Sequence, residues 1–239
     1  MLYLALEDPA RRLKSRLATL LGGSQPPARL TIWTVCPPLP EGGEAAIRAW
    51  LDQHPAARLV VVDVFTRVRG EAPRGVSAFA ADYRAVAQVK AIADDYGVAV
   101  VLVHHDRKAP ADDFLATISG TNGLAAAADT ILVLKRARGE ADAVLHAIGR
   151  DVEEVERALR FTPATGAWVL LRGPVIDFTA TGVRGDVLRW LRQHGAAKPL
   201  EIADALDLKP NTVRQTCRRM AEEGDLGTDG AGRYWALPA

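Results

Sequence analysis

Two stretches of the chain, RLVVVD at 58–63 and VAVVLV at 98–103, are apolar at nearly every position, where a strand with one wet face would alternate. Such runs predict strands buried on both faces of a parallel sheet, and parallel strands need crossover segments, usually helices, to return the chain. The sequence supplies them in order: Leu2–Leu6 as a strand, a helix to about Leu21 with Leu13, Leu17, Leu20 and Leu21 on one face, then LTIWTV at 30–35. EAAIRAWLDQH forms the next helix and Arg58–Asp63 the next strand; a helix over Phe79–Tyr96 leads to Val98–His105, and TILVLKR at 130–136 follows a short Ala-rich helix. Asp8 is expected to cap the first helix, with Pro9 in its first turn. The fold class predicted is α/β: a mostly parallel sheet with helices on both faces.

After Arg136 the pattern changes. AVLHAIGRD, EVERALRF and WVLL are separated by short polar turns and suit an antiparallel meander extending the sheet edge. From about Val183 the chain reads as three helices followed by a Gly-rich turn and a strand, the order of a winged helix-turn-helix. Leu200, Ile202, Ala203, Leu206, Val213, Cys217 and Met220 are its expected core. The organisation predicted is therefore a domain over 1–172, a linker over 173–182 and a small domain over 183–239.

Composition narrows the function classes. Hydrophobic residues make up 49% of the chain and charged residues 25%, which excludes a disordered chain, and a net charge of +1 leaves any nucleic-acid contact to a local patch. Cys36 and Cys217 lie too far apart for a metal or redox spacing and are expected as thiols of a reducing compartment. No run approaches the ~20 apolar residues of a membrane span, so no membrane partner and a cytoplasmic location are expected.

Candidate chemistry sits where strands end. Asp63 closes the Val-rich strand, at the carboxyl end where α/β sheets bind ligands; an Asp there suits a Walker B magnesium site and equally suits a loop cap. Glu7 ends its strand in the same way: it can polarise a water, or simply complement a helix N-terminus. His104 and His105 end a third strand, but neighbours on a strand point to opposite faces, which argues against their sharing one metal ion. Lys135 and Arg136 form a basic pair that is either solvated or able to reach a phosphate. In the C-terminal part the third helix starts near Pro210 and offers Asn211, Thr212, Arg214, Gln215, Arg218 and Arg219 to phosphates or bases, with Arg233 in the wing turn. Over 184–239 nine basic residues face eight acidic ones, so clustering on one helix, and not total charge, is the argument for DNA.

LYLALED, RLVVVDVFTRVRG, ADYRAVAQVKAIADDYGVAVVLVHHDRK, SGTNGLAAAADTILVLKR and GRDVEEVERALRF, in this order, resemble the RecA-like AAA-family ATPase core of the plasmid RepA and DnaB hexameric helicase group, over about 1–172. The resemblance implies that Glu7 activates the attacking water, that Asp63 organises magnesium through water once Mg-ATP is bound, and that His105 senses the γ-phosphate. It further implies that Lys135 and Arg136 act as fingers on a neighbouring subunit's nucleotide, that loops over 66–78 and 108–117 line a DNA channel, and that the protein is a homo-oligomer. Function in replication or mobile-element maintenance goes with it.

The sequence departs from that family in one respect. No G-x-x-x-x-G-K-S/T run occurs in it, and Leu2–Leu6 corresponds to the family's second strand. Without the backbone cradle and lysine of that loop, phosphates are held poorly, so the expectation is a domain lacking its first βα unit that does not hydrolyse ATP alone. A strand edge and sheet face are then open, to be covered by a further copy or a partner. Two other readings remain at this point: a non-enzymatic DNA-binding regulator or scaffold, and a metal-dependent hydrolase using Asp63 and the paired histidines.

Overall fold

A computed structural model describes residues 1–72, 74–105, 122–136 and 142–237. By contact pattern the chain divides into one unit of residues 1–133, 147–154 and 162–167 and another of 134–146, 155–161 and 168–239.

In the first unit β1 (Leu2–Ala5), β2 (Thr31–Trp33), β3 (Leu59–Asp63) and β4 (Ala99–Val103) form a four-stranded sheet ordered β2-β1-β3-β4. Its three pairings are parallel, and Ala5 lies beside Asp63, which lies beside Val103. Helices α1 (Ala10–Leu21), α2 (Gly43–Gln53) and α3 (Ala78–Tyr96) make the crossovers, and α4 (Asn122–Ala127) follows. On one face Leu2, Leu4, Val60 and Val62 pack with Ile47, Trp50 and Leu51 of α2 and Val86, Val89 and Ile92 of α3, all buried. Each such side chain withdrawn from water contributes ~1.5–3 kcal/mol. Gly123 is buried against α3, where a Cβ would meet the Tyr83 amide at 3.0 Å; only glycine lets α4 approach this closely.

The two faces are covered unequally, against the expectation of strands buried on both. Alternation places Tyr3, Val61 and Val101 opposite the packed face, and Val101 is 43% exposed. The first helix belongs to this second face, since Asp8 and Arg16 act electrostatically on the Tyr3 hydroxyl, yet Leu13 is its only buried residue. Asp8 does not cap α1. Pro9 holds that position, and the Asp8 carboxylate instead accepts from Arg12 and Arg16. The LTIWTV strand is shorter than its apolar run, because Pro37 and Pro38 follow closely and Val35 points into solvent.

β5 (Thr130–Lys135), β6 (Asp142–Gly149), β7 (Val155–Thr162) and β8 (Ala167–Leu170) form a second four-stranded sheet in that order. The meander is present, but among the described residues it does not extend the parallel sheet: β5 joins β6 and not β4. Links of four to six residues are too short for parallel crossovers, so adjacent strands here run antiparallel.

Past β8, a one-turn helix α5 (Ile176–Thr179) lies within the expected linker, followed by α6 (Gly182–His194), α7 (Pro199–Leu206) and α8 (Pro210–Glu222). β9 (Leu226–Thr228) and β10 (Tyr234–Ala236) pair antiparallel, and Ala197 bridges to Tyr234. Val187, Leu188, Leu191, Ile202, Ala203, Val213, Cys217, Met220 and Leu226 form the core, with Leu206 packed against it. Leu200, expected there, is 55% exposed. It lies two positions before Ile202, ~200° around the helix at 100° per residue, and so faces away. Gly227 makes room for the Trp235 indole, which would overlap any Cβ at that position.

Candidate functional site

The parallel register brings the ends of β1, β3 and β4 level, and the Leu6 amide prolongs the ladder by donating to the Asp63 carbonyl at 2.6 Å. Glu7 and His105 therefore meet: Nε2 of His105 lies 3.4 Å from Oε2 of Glu7. The Glu7 side chain is 42% exposed and that of His105 77%, so the pair faces solvent. A third group, which sequence reasoning placed only within a loop, completes the cluster: Arg67 Nε stands 3.9 Å from Oε1 of Glu7. A short 3-10 turn, Phe65–Arg67, carries this arginine, and Phe65 and Val68 bury their side chains beneath it.

Asp63, at the neighbouring strand end, is held by a residue that sequence reasoning missed. The Tyr3 hydroxyl donates to Oδ2 of Asp63 at 2.8 Å. Burial first, and the hydrogen bond to Asp63 second, push the Tyr3 phenol up to about 12. The phenol is thus a donor at any physiological pH, and it fixes one oxygen of the carboxylate. Only the strand register could have revealed this, since Tyr3 shares the face of Asp63 and of Val61, its partner across β1 and β3.

The loop after β3 is anchored from below. Arg69 forms a short ion pair with Asp82 of α3, a carboxylate only 1% exposed, and the Arg69 amide donates to the Phe65 carbonyl. Two links thus lead from α3 to Glu7, by Arg69 and then by Arg67. The second expected channel loop, 108–117, lies outside the described residues, as do Asp106, Arg107 and Lys108.

For Mg-ATP the residues fit on one side only. Asp63 and Glu7 are carboxylates at adjacent strand ends, suited to a magnesium-bound water and to polarising a second water. A backbone phosphate cradle with its lysine has no counterpart in the sequence, so no chemical step is derived through the nucleotide. Among the described residues no three His, Cys, Asp or Glu side chains converge as a metal cage.

In the second unit Lys135 ends β5, and the Arg136 guanidinium lies over Phe161 and Trp168, 5.1 and 5.6 Å from the ring centroids. Such stacking holds a guanidinium by its flat faces.

Helix α8 divides cleanly. Val213, Cys217 and Met220 are fully buried, while Asn211, Thr212, Arg214, Gln215, Arg218 and Arg219 are all exposed. Burial pushes the Cys217 thiol up to about 11. The small net charge of this region conceals a segregation. Arg184 pairs with Glu223 and Asp225, Arg189 with Asp186 and Arg192 with Asp177, which neutralises α6. Arg218 pairs with Glu222, whereas Arg214 and Arg219 have no carboxylate partner among the described residues. Arg233 donates to the Ala196 carbonyl at 3.2 Å, close to the β9–β10 turn.

Residues 1–111 match the model of a family described as AAA domain. The ATPase domain of G40P has a similar structure, with a TM-score of 0.60 and 15% identity, over 72% of this chain and 74% of that one. The RadB recombinase gives a TM-score of 0.48 and 18% identity, over 69% of this chain and 76% of the other. No curated protein matches the chain. The fold is thus like that of a RecA-like ATPase domain, and Glu7, Asp63 and His105 lie at the carboxyl ends of its parallel strands. Among the described residues no helix is long and apolar enough to cross a membrane.

Proposed function

We propose that this chain is an ATPase-family protein acting on DNA, in replication or mobile-element maintenance, with a RecA-like domain and a C-terminal winged helix that engages the DNA. The observation that carries the reading is the contact of Glu7 with His105, at strand ends level with that of Asp63, in a chain whose residues 1–111 match an AAA domain. In that reading Glu7 polarises a water, Asp63 holds magnesium through water, His105 reports on the phosphate, and Lys135 and Arg136 serve a neighbouring subunit. Stacking of Arg136 on Phe161 and Trp168 supports such a role by pre-orienting the guanidinium. The order of three helices and a hairpin, and the segregated charge of α8, support duplex DNA as the partner of 183–239. Exposed Val101, Leu132 and Leu134 support a further copy or a partner covering the sheet edges.

As the sequence stands, without a G-x-x-x-x-G-K-S/T run, the chain alone is not expected to hydrolyse ATP; a second reading, a non-enzymatic DNA-binding regulator or scaffold, rests on the exposed, basic outer face of α8. One set of measurements separates them. Under the leading reading a fluorescent ATP analogue with magnesium binds weakly and loses affinity in Asp63→Asn, while Arg214→Ala with Arg218→Ala strongly weakens the DNA shift. Absence of any nucleotide binding, with DNA binding intact, would hand the assignment to the regulator. Unchanged DNA affinity in the double arginine variant would refute the winged-helix contact in both.

A further inference from the structure

Helix α1 carries Arg11, Arg12, Lys14 and Arg16 and no acidic residue, in a protein whose net charge is only +1. All four are exposed. Three of them fall in the first turn or just beyond it, where the helix dipole is positive and cationic side chains cost ~0.3–1 kcal/mol each. The helix therefore holds its charge against its own stability, a conflict expected at functional positions. Asp8 offsets part of it by pairing with Arg12 and Arg16. Arg11 and Lys14, three residues apart on one face, have no carboxylate partner among the described residues.

The surroundings narrow the partner. Leu13 is buried and Leu17 and Leu21 are half-buried, which leaves Leu20 as the one exposed large apolar side chain on α1. That is too little for a membrane-inserting face, which needs a continuous apolar stripe, and it offers no aromatic or apolar anchor for a protein interface. A dense row of cations beside Ser15 and Thr19 fits a phosphodiester backbone, recognised by charge without base reading.

We infer that α1 is a second DNA contact, independent of α8, in which Arg11 and Lys14 bind backbone phosphates and Arg12 and Arg16 reinforce the field. The test uses the full chain and fluorescence anisotropy on labelled random-sequence DNA, duplex and single-stranded, across a salt series. Arg11→Glu with Lys14→Glu is compared with wild type, alone and in the Arg214→Ala, Arg218→Ala background. Acidic residues suit a helix N-terminus, so the melting temperature should hold or rise, and Arg11→Gln with Lys14→Gln provides a neutral pair. The expected result is an affinity loss of about tenfold at low salt, with the duplex salt slope falling by about 2 for two lost phosphates. The α8 background should retain residual binding that the α1 substitutions then remove. Wild-type affinity and slope in the α1 variants would overturn the inference, as would a loss of affinity at constant slope. Binding to phosphatidylserine vesicles that depends on Arg11 and Lys14, without an effect on DNA, would overturn it in favour of a lipid surface. Should the α8 variant alone bind like wild type, the winged-helix reading fails while α1 is still decided by its own pair.

Discussion

Replacing Arg69 by alanine should destabilise the first unit far more than its half-exposed position suggests. Asp82 is 1% exposed, and Arg69 is the partner of its carboxylate, so the variant leaves a buried charge without compensation. Breaking a fully buried pair in this way costs ~3–5 kcal/mol. Arg69 itself is 31% exposed, so some water reaches the pair already, and a loss of about 2–3 kcal/mol is expected. With a urea m-value of about 2 kcal/mol per molar, the midpoint moves down by about 1 M. Hydrogen exchange of α3 amides, followed by mass spectrometry at rising urea, reports this unit separately from the other. The asymmetry is as informative as the size. Asp82→Asn should cost less, because the arginine left behind can turn to solvent, and the apolar pair Arg69→Met with Asp82→Leu should come close to wild type. A cost below about 0.5 kcal/mol for Arg69→Ala, or an equal cost for Asp82→Asn, would refute the reasoning.

Two further outcomes are expected. The Lys90 hydrogen bond, chiefly, lowers the pKa of Asp129 from its ordinary 3.8, so this contact adds stability above that value that is lost as pH falls through the lowered one. Acid melts of wild type and Lys90→Met should therefore differ above pH ~4 and converge below it; a constant gap would contradict the linkage. Burial raises the pKa of both thiols, Cys217 up to about 11, and Cys217 is fully buried. Iodoacetamide at mildly alkaline pH should alkylate half-buried Cys36 first and Cys217 only after denaturation, by peptide mass spectrometry, and early labelling of Cys217 would mean that its core opens.

What the sequence made legible followed chain-local rules. That Glu7, Asp63 and His105 lie at level strand ends was legible because each follows or closes an apolar run, and parallel strands end together. Tyr3 was not, because its bond to Asp63 spans sixty positions and depends on register. Asp82 and Arg67 stayed hidden for the same reason: a charge in a helix or loop looks solvated until tertiary packing supplies its partner. The apolar run of β5 identified a strand but not its neighbour, since periodicity carries no information on which sheet a strand joins. Leu200 was misplaced by counting apolar residues instead of following helical phase. Segregation of the C-terminal charges was invisible in a net count and emerged only when the ion pairs of α6 had absorbed their acids.

The division of α8 bears on how such a protein can change. Folding depends on Val213, Cys217 and Met220, spaced four and three residues apart, while the six outward positions from Asn211 to Arg219 contribute nothing to that core. A combinatorial library randomised at those six sites should yield mostly folded members, so new binding preferences can be selected without passing through misfolded intermediates. On the proposed reading of α8 as a DNA contact, the same partition would let variants change their outer surface on an unchanged scaffold, with the buried triplet fixing the helix in place.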